Sequence, residues 1–184
     1  MNMQRWFEMF YGPISPVAFD KNEWFTIAIF FLSVGAAIYL LKKHPIMKKS
    51  EIIFVILFNV YFSSLGEYVL AVKPTDLYDT IDRNCGELFD IPLQVIVYPT
   101  TIYILLHIFV MFKLRKLNFI LLGSMALTLM EWVSEHYFSM YKYKGWAIYY
   151  SYLFYIFTLA INMYSLGWFN KQSNAGMVQL KEKH

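Results

Sequence analysis

The sequence predicts an all-α integral membrane protein, a single domain of five transmembrane helices preceded by a short interfacial helix. Three observations predict it. The 184-residue chain is 58% hydrophobic and 20% aromatic but only 16% charged, against about 25% charged in soluble domains. Its apolar residues gather into blocks of about 20, the length at which a helix rising 1.5 Å per residue crosses a hydrocarbon core of about 30 Å. Charge is concentrated between the blocks, as in the basic turns Lys42-Lys43-His44-Pro45 with Lys48 and Lys49, and Lys113-Leu114-Arg115-Lys116.

Residues 1–23 read as an interfacial N-terminus. Met3, Trp6, Phe7 and Phe10 fall at i, i+3, i+4, i+7, the apolar stripe of a helix lying in the membrane surface. No small-residue cleavage site follows, so no signal peptide is expected. The first span, 24–41, carries Ser33, Gly35, Ala36 and Ala37, small residues that let helices approach closely. The second, 52–72, places Asn59, Ser63, Gly66 and Glu67 on one face. Between 73 and 90 lies a polar loop with five acidic residues against Lys73 and Arg83. There the i, i+4 pairs Asp79/Arg83 and Leu77/Ile81 predict a short surface helix.

The third span, 91–112, contains Pro92 and Pro99. Pro99 should kink it and free a carbonyl about one turn earlier. Gln94, Tyr98 and Thr101 make its polar stripe, and His107 lies off that stripe. The fourth span, 119–140, places Ser124, Thr128, Glu131 and Glu135 at +4, +3, +4, with His136 following. Residues 141–146 read as a tight turn. The fifth span, 147–169, carries Ser151, Tyr155, Thr158, Asn162 and Ser165 on one face, and 170–184 read as a polar, frayed tail.

The turns at 42–51 and 113–118 and the tail hold ten Lys and Arg, and the other polar segments hold six. The positive-inside rule then puts the N-terminus outside and the C-terminus in the cytoplasm of a cell membrane. Counted at 1.5 Å per residue from the inner ends of their spans, Glu67, Glu131 and Glu135 rise about 22, 18 and 24 Å. Gln94, Tyr98, Ser151 and Tyr155 reach a similar depth from the other side. The stripes therefore converge on one polar pocket in the outer half of the membrane.

A carboxylate at the bilayer centre costs about 2.5 to 3.5 kcal/mol on insertion scales, so each must be protonated, paired or turned to a wet interior. Three functions meet that condition. In the first, the pocket is hydrogen-bonded packing and the protein a structural or partner subunit, associating with another membrane protein or a second copy of itself. In the second, Glu67, Glu131 and Glu135 bind a proton or cation in a transporter or sensor. In the third, Glu131, Glu135 and His136 hold a metal in an enzyme. His136 lies about 100° round the helix from Glu135, which disfavours that ligand set. Gln94, Tyr98 and Tyr155 complete the candidate site, and no catalytic residue or cofactor is assigned. A net charge of +3 without an aromatic-interleaved basic run excludes a nucleic-acid partner, and the single Cys85 excludes an internal disulfide.

The five spans, the Tyr98-Pro99 step, Glu131-Trp132 and the aromatic segment from Tyr141 to Trp146 resemble a group of small multi-spanning membrane proteins of unknown function from Bacillus-type Gram-positive bacteria. The resemblance implies a bacterial plasma membrane and carries over no catalytic or binding residue.

Overall fold

The computed structural model describes residues 3–12, 14–82 and 87–182. Six helices and one two-stranded ribbon make up the fold: α1 (Met3–Tyr11), α2 (Lys21–Lys43), α3 (Lys49–Ala71), β1 (Tyr78–Thr80), α4 (Asp90–Phe112), α5 (Lys116–Phe138), β2 (Tyr141–Tyr143) and α6 (Ile148–Glu182). Helices α2 to α6 are long and apolar enough to cross a membrane. Their outer faces fit that setting, since Phe31, Leu32, Leu122 and Tyr164 are 66 to 76% exposed. Scattered exposed apolar residues are ordinary, whereas α2, α3, α5 and α6 each expose several large apolar side chains, as a membrane-spanning helix would. In α1, Trp6 and Phe10 stack at 5.2 Å on an exposed face. The Met3 and Phe7 side chains of the same stripe lie outside the described residues.

Helices α2 and α3 begin earlier than their apolar blocks because their caps lie in the polar flanks. At α2, Asp20 accepts the Asn22 N–H at 3.0 Å while Glu23 accepts the Asp20 N–H at 2.7 Å, a reciprocal capping box. At α3, Glu51 reaches back to the Lys48 N–H at 2.8 Å. The tail is a correction to the sequence reading. Rather than fraying after the fifth span, α6 continues to Glu182, because its Gln, Ala, Met, Leu, Lys and Glu residues extend a helix that needs no new nucleus.

The helices pack side by side in the order α2, α4, α3, α6, α5, and α5 closes the ring against α2. The Phe25–Phe138 stack at 4.0 Å forms part of that closure. Two local devices fix the spacing. Gly123 on α5 faces Leu159 so closely that an added Cβ would lie 2.7 Å from the leucine Cδ1. Asn59 and Asn162 exchange amide hydrogen bonds at 2.7 and 3.0 Å between α3 and α6, and each also donates to the carbonyl four residues back. All four donor protons of this buried pair are used, so it fixes the register of the two helices without an orphaned group.

Proline shapes α4. Residues Leu93–Val97 form a π-helical turn in which the Tyr98 N–H bonds to the Leu93 carbonyl. In that i to i−5 register the N–H missing from Pro99 would have met the Gln94 carbonyl. Ser63 of α3 fills the vacancy, its hydroxyl donating to that carbonyl at 2.9 Å. The proline expectation is thereby met with a named partner.

The ribbon corrects two further expectations. Residues 78–80 form a strand rather than a surface helix, and 141–143 form its partner rather than part of a turn, antiparallel with Tyr78 opposite Tyr143 and Thr80 opposite Tyr141. Arg83 and Cys85 lie outside the described residues. The i, i+4 pattern yields because the two segments satisfy each other's backbone, and the ladder continues through the Ile81 N–H to the Met140 carbonyl at 2.8 Å. One carbonyl, that of Leu77, takes the N–H groups of Lys144, Gly145 and Trp146 at 2.9 to 3.1 Å, and the Leu77 N–H returns to Leu70 on α3. The ribbon is thus tied to α3 at one side and leads into α6 at the other.

Candidate binding site

Inside the ring, beneath the ribbon, is a cavity of about 180 Å³. All five long helices and both strands contribute to its wall. The two apolar clusters of the core border it, one through Ile102 and Leu127 and the other through Leu93, Val97 and Met140. Among the described residues its polar lining includes two carboxylates, Glu67 and Glu131, with hydroxyls around them, the Asn59 amide and the Trp146 indole.

Glu131 projects from α5 into a cage of three donors. Its Oε1 accepts the Tyr143 and Ser151 hydroxyls, both at 2.6 Å, and its Oε2 accepts the Tyr155 hydroxyl at 2.5 Å. Trp146 Nε1 donates to the Ser151 hydroxyl at 2.8 Å and so fixes that hydroxyl's aim at the carboxylate. Ser151 and Tyr155 come from successive turns of α6, while Tyr143 comes from the ribbon. Glu67 projects from α3 and accepts the Thr80 hydroxyl at 2.9 Å and the Tyr78 hydroxyl at 3.2 Å, both from β1. Between them, Tyr98 and Tyr141 share a hydrogen bond at 2.8 Å.

The phenols of the ribbon are held as neutral donors. Burial, then the Glu67 carboxylate, then Glu131 push Tyr78 well above the ordinary phenol range. Burial does the same to Tyr141, helped by Tyr98 and Glu131, and to Tyr143, helped by Glu131 and Glu135. Their rings keep some exposed surface, but a phenol oxygen facing a carboxylate inside a protein resists taking a second negative charge. Outside the cavity, Lys144 closes the ribbon's edge with Nζ 2.7 Å from Asp76 and 2.8 Å from Asp79. The hydrogen bonds it donates to those two carboxylates raise its pKa.

The structure brings together Glu67, Glu131, Tyr98 and Tyr155 of the sequence-derived candidates, and it leaves out three. Glu135 is half-buried on α5 but does not line the cavity. His136 is exposed, stacks flat on Trp132 at 5.4 Å and does not line the cavity. Gln94 lends the site its backbone, while its side chain does not line the cavity. Among the described residues no three His, Cys, Asp or Glu side chains form a group able to hold a metal ion. His107, off the stripe as expected, meets the Tyr103 hydroxyl of its own helix at 3.3 Å and the backbone of His44 at the end of α2.

Sequence reasoning missed Tyr78, Thr80, Tyr141, Tyr143 and Trp146, which supply the roof and three of the five hydroxyls that donate to the carboxylates. The signal was the period-two alternation of Tyr78 with Thr80 and of Tyr141 with Tyr143, which puts each pair on one face of a strand. Compared with protein families, curated proteins and solved structures, the chain matches none.

Proposed function

We propose that the protein binds a small cation in this cavity, as a carrier or sensor in a bacterial plasma membrane. The observation that carries the proposal is a charge imbalance. Two carboxylates, Glu67 and Glu131, face a cavity of about 180 Å³, and among the described residues no Lys, Arg or His lines it. Ionisable groups within membrane-spanning helices mark ion or substrate pathways by default, and a site with two acids and no base is complementary to positive charge. The distribution of Lys and Arg supports an orientation with the ribbon and cavity toward the outside.

A second function, in which the pocket is packing and the chain a structural or partner subunit, draws support from the three hydroxyls that already surround Glu131. Close packing, however, leaves few voids larger than a water molecule, and this one exceeds the roughly 150 Å³ that admits a benzene-sized guest.

Calorimetric titration of the purified protein with sodium, potassium, magnesium, calcium and ammonium-type chlorides separates the two. A cation site predicts saturable binding of at least one of these classes at millimolar concentration or below, and its loss in the Glu67→Gln, Glu131→Gln double variant. Packing predicts no binding of any class.

A further inference from the structure

We infer that the cavity is built for an alkylated ammonium group, of the kind borne by choline and tetramethylammonium, rather than for an inorganic ion. The inference rests on the cation-binding function proposed above and names its ligand class.

The first observation is the arrangement of the rings. Tyr78 meets Tyr141 edge-on at 6.1 Å and 84°, and meets Trp146 at 6.0 Å and 65°; Trp146 in turn meets Phe154 at 6.5 Å and 80°. All four line the cavity, with Phe62 beyond Phe154 at 6.1 Å and Tyr98 hydrogen-bonded to Tyr141. Tyr78, Tyr141, Trp146 and Phe154 meet at steep angles and so wall the cavity on more than one side, while Phe62 lies nearly parallel to Phe154 at 24°. An aromatic box beside carboxylates is the usual recognition of quaternary ammonium, whose charge spreads over its methyl groups and is attracted by the negative ring faces.

The second observation is the state of the carboxylates. Glu131 already accepts three hydroxyl protons and Glu67 two. A metal ion needs bare oxygen lone pairs at about 2.0 to 2.6 Å, and these donors leave about one such site on Glu131 and two on Glu67, too few for the two carboxylates alone to supply the six or more oxygens a hard cation takes. A quaternary ammonium carries no N–H and forms no coordinate bond, so it gains from the two acidic side chains at longer range while every hydrogen bond stays in place. Size agrees with charge, since tetramethylammonium and the choline head are compact groups comparable to the benzene that a roughly 150 Å³ cavity holds.

The test uses full-length protein in lipid nanodiscs, titrated calorimetrically with tetramethylammonium chloride and choline chloride. The uncharged shape analogue of choline, 3,3-dimethylbutan-1-ol, and the chlorides of sodium, potassium and calcium serve as comparisons. Both ammonium ions should bind, and the alcohol should bind about tenfold more weakly or worse. Trp146→Leu should weaken ammonium binding about tenfold, and Trp146→Phe should retain most of it. Should Trp146→Leu lose its helical circular dichroism, Phe62→Leu supplies the same comparison away from the ribbon. Equal binding of alcohol and choline would overturn the inference, as would unchanged affinity in both leucine variants. Binding of the inorganic ions without the ammonium ions would overturn the ligand class while leaving the cation site standing. Binding of neither would overturn both.

Discussion

Glu131 accepts three hydroxyl protons, from Tyr143, Ser151 and Tyr155, so the effect of replacing it depends on what the replacement offers those hydroxyls. Glutamine keeps one oxygen for Tyr143 and Ser151, and its amide can donate to Tyr155, whose hydroxyl then serves as acceptor. Glu131→Gln should therefore unfold within about 1 kcal/mol of the parent, whereas Glu131→Leu strands the donors and should cost on the order of 1 to 3 kcal/mol. Denaturant unfolding in detergent measures both, and equal stability of the two variants would place Glu131 outside the cage. The phenols give a second prediction. Tyr78 and Tyr141 have folded pKa values raised above the ordinary phenol value, so the folded state holds their protons more tightly than the unfolded chain does. Stability from these groups is complete below pH 10 and lost as pH rises above it, at up to about 1.4 kcal/mol per pH unit for each phenol. Ultraviolet titration should show these phenols ionising only with unfolding; reversible ionisation near pH 10 in the folded protein would contradict their enclosure.

Among the elements, α3 and α6 are joined by the amide pair Asn59 and Asn162. Replacing either residue alone by leucine leaves a buried amide without its partner, so each single variant should lose about 1 to 3 kcal/mol. The double leucine variant should lose less than the sum, and additive losses would show that the amides do not meet. At the α5–α6 contact, Gly123→Val should be destabilising by about 1 to 3 kcal/mol because its side chain needs the space Leu159 occupies. The long helices were legible in the sequence because each is a block of apolar residues with polar caps. Pro99 even announced the open carbonyl that Ser63 fills. The ribbon was not read, since its period-two signal spans only three residues in each strand and the pairing joins segments more than 60 residues apart. The loss of Glu135 from the site follows from the same gap. Depth along a helix could be counted, but the facing of α5 toward α6, which brings Ser151 and Tyr155 to Glu131, and the ribbon's placement together decide which carboxylate at that depth receives donors.

For the whole molecule, a ring of five helices encloses a cavity that one short ribbon roofs, and the site exists only in that assembly. Glu67 and Glu131 lie on different helices, and donors from the ribbon reach both. The proposed orientation predicts that a cysteine replacing His184 resists a membrane-impermeant thiol reagent in intact cells and reacts after permeabilisation; labelling of the tail in intact cells would invert the topology. The central claim, that the cavity is complementary to a positive charge through Glu67 and Glu131, has a direct test in a tethered cation. Leu127 lines the cavity one turn before Glu131 and is 8% exposed, so Leu127→Lys places an ammonium where the two carboxylates can pair with it. Unfolding free energies of Leu127→Lys in the parent and in the Glu67→Gln, Glu131→Gln background give the coupling between the lysine and the acids. The account predicts a favourable coupling on the order of 2 kcal/mol or more, with the lysine tolerated only where the carboxylates remain. A lysine equally destabilising in both backgrounds would contradict it.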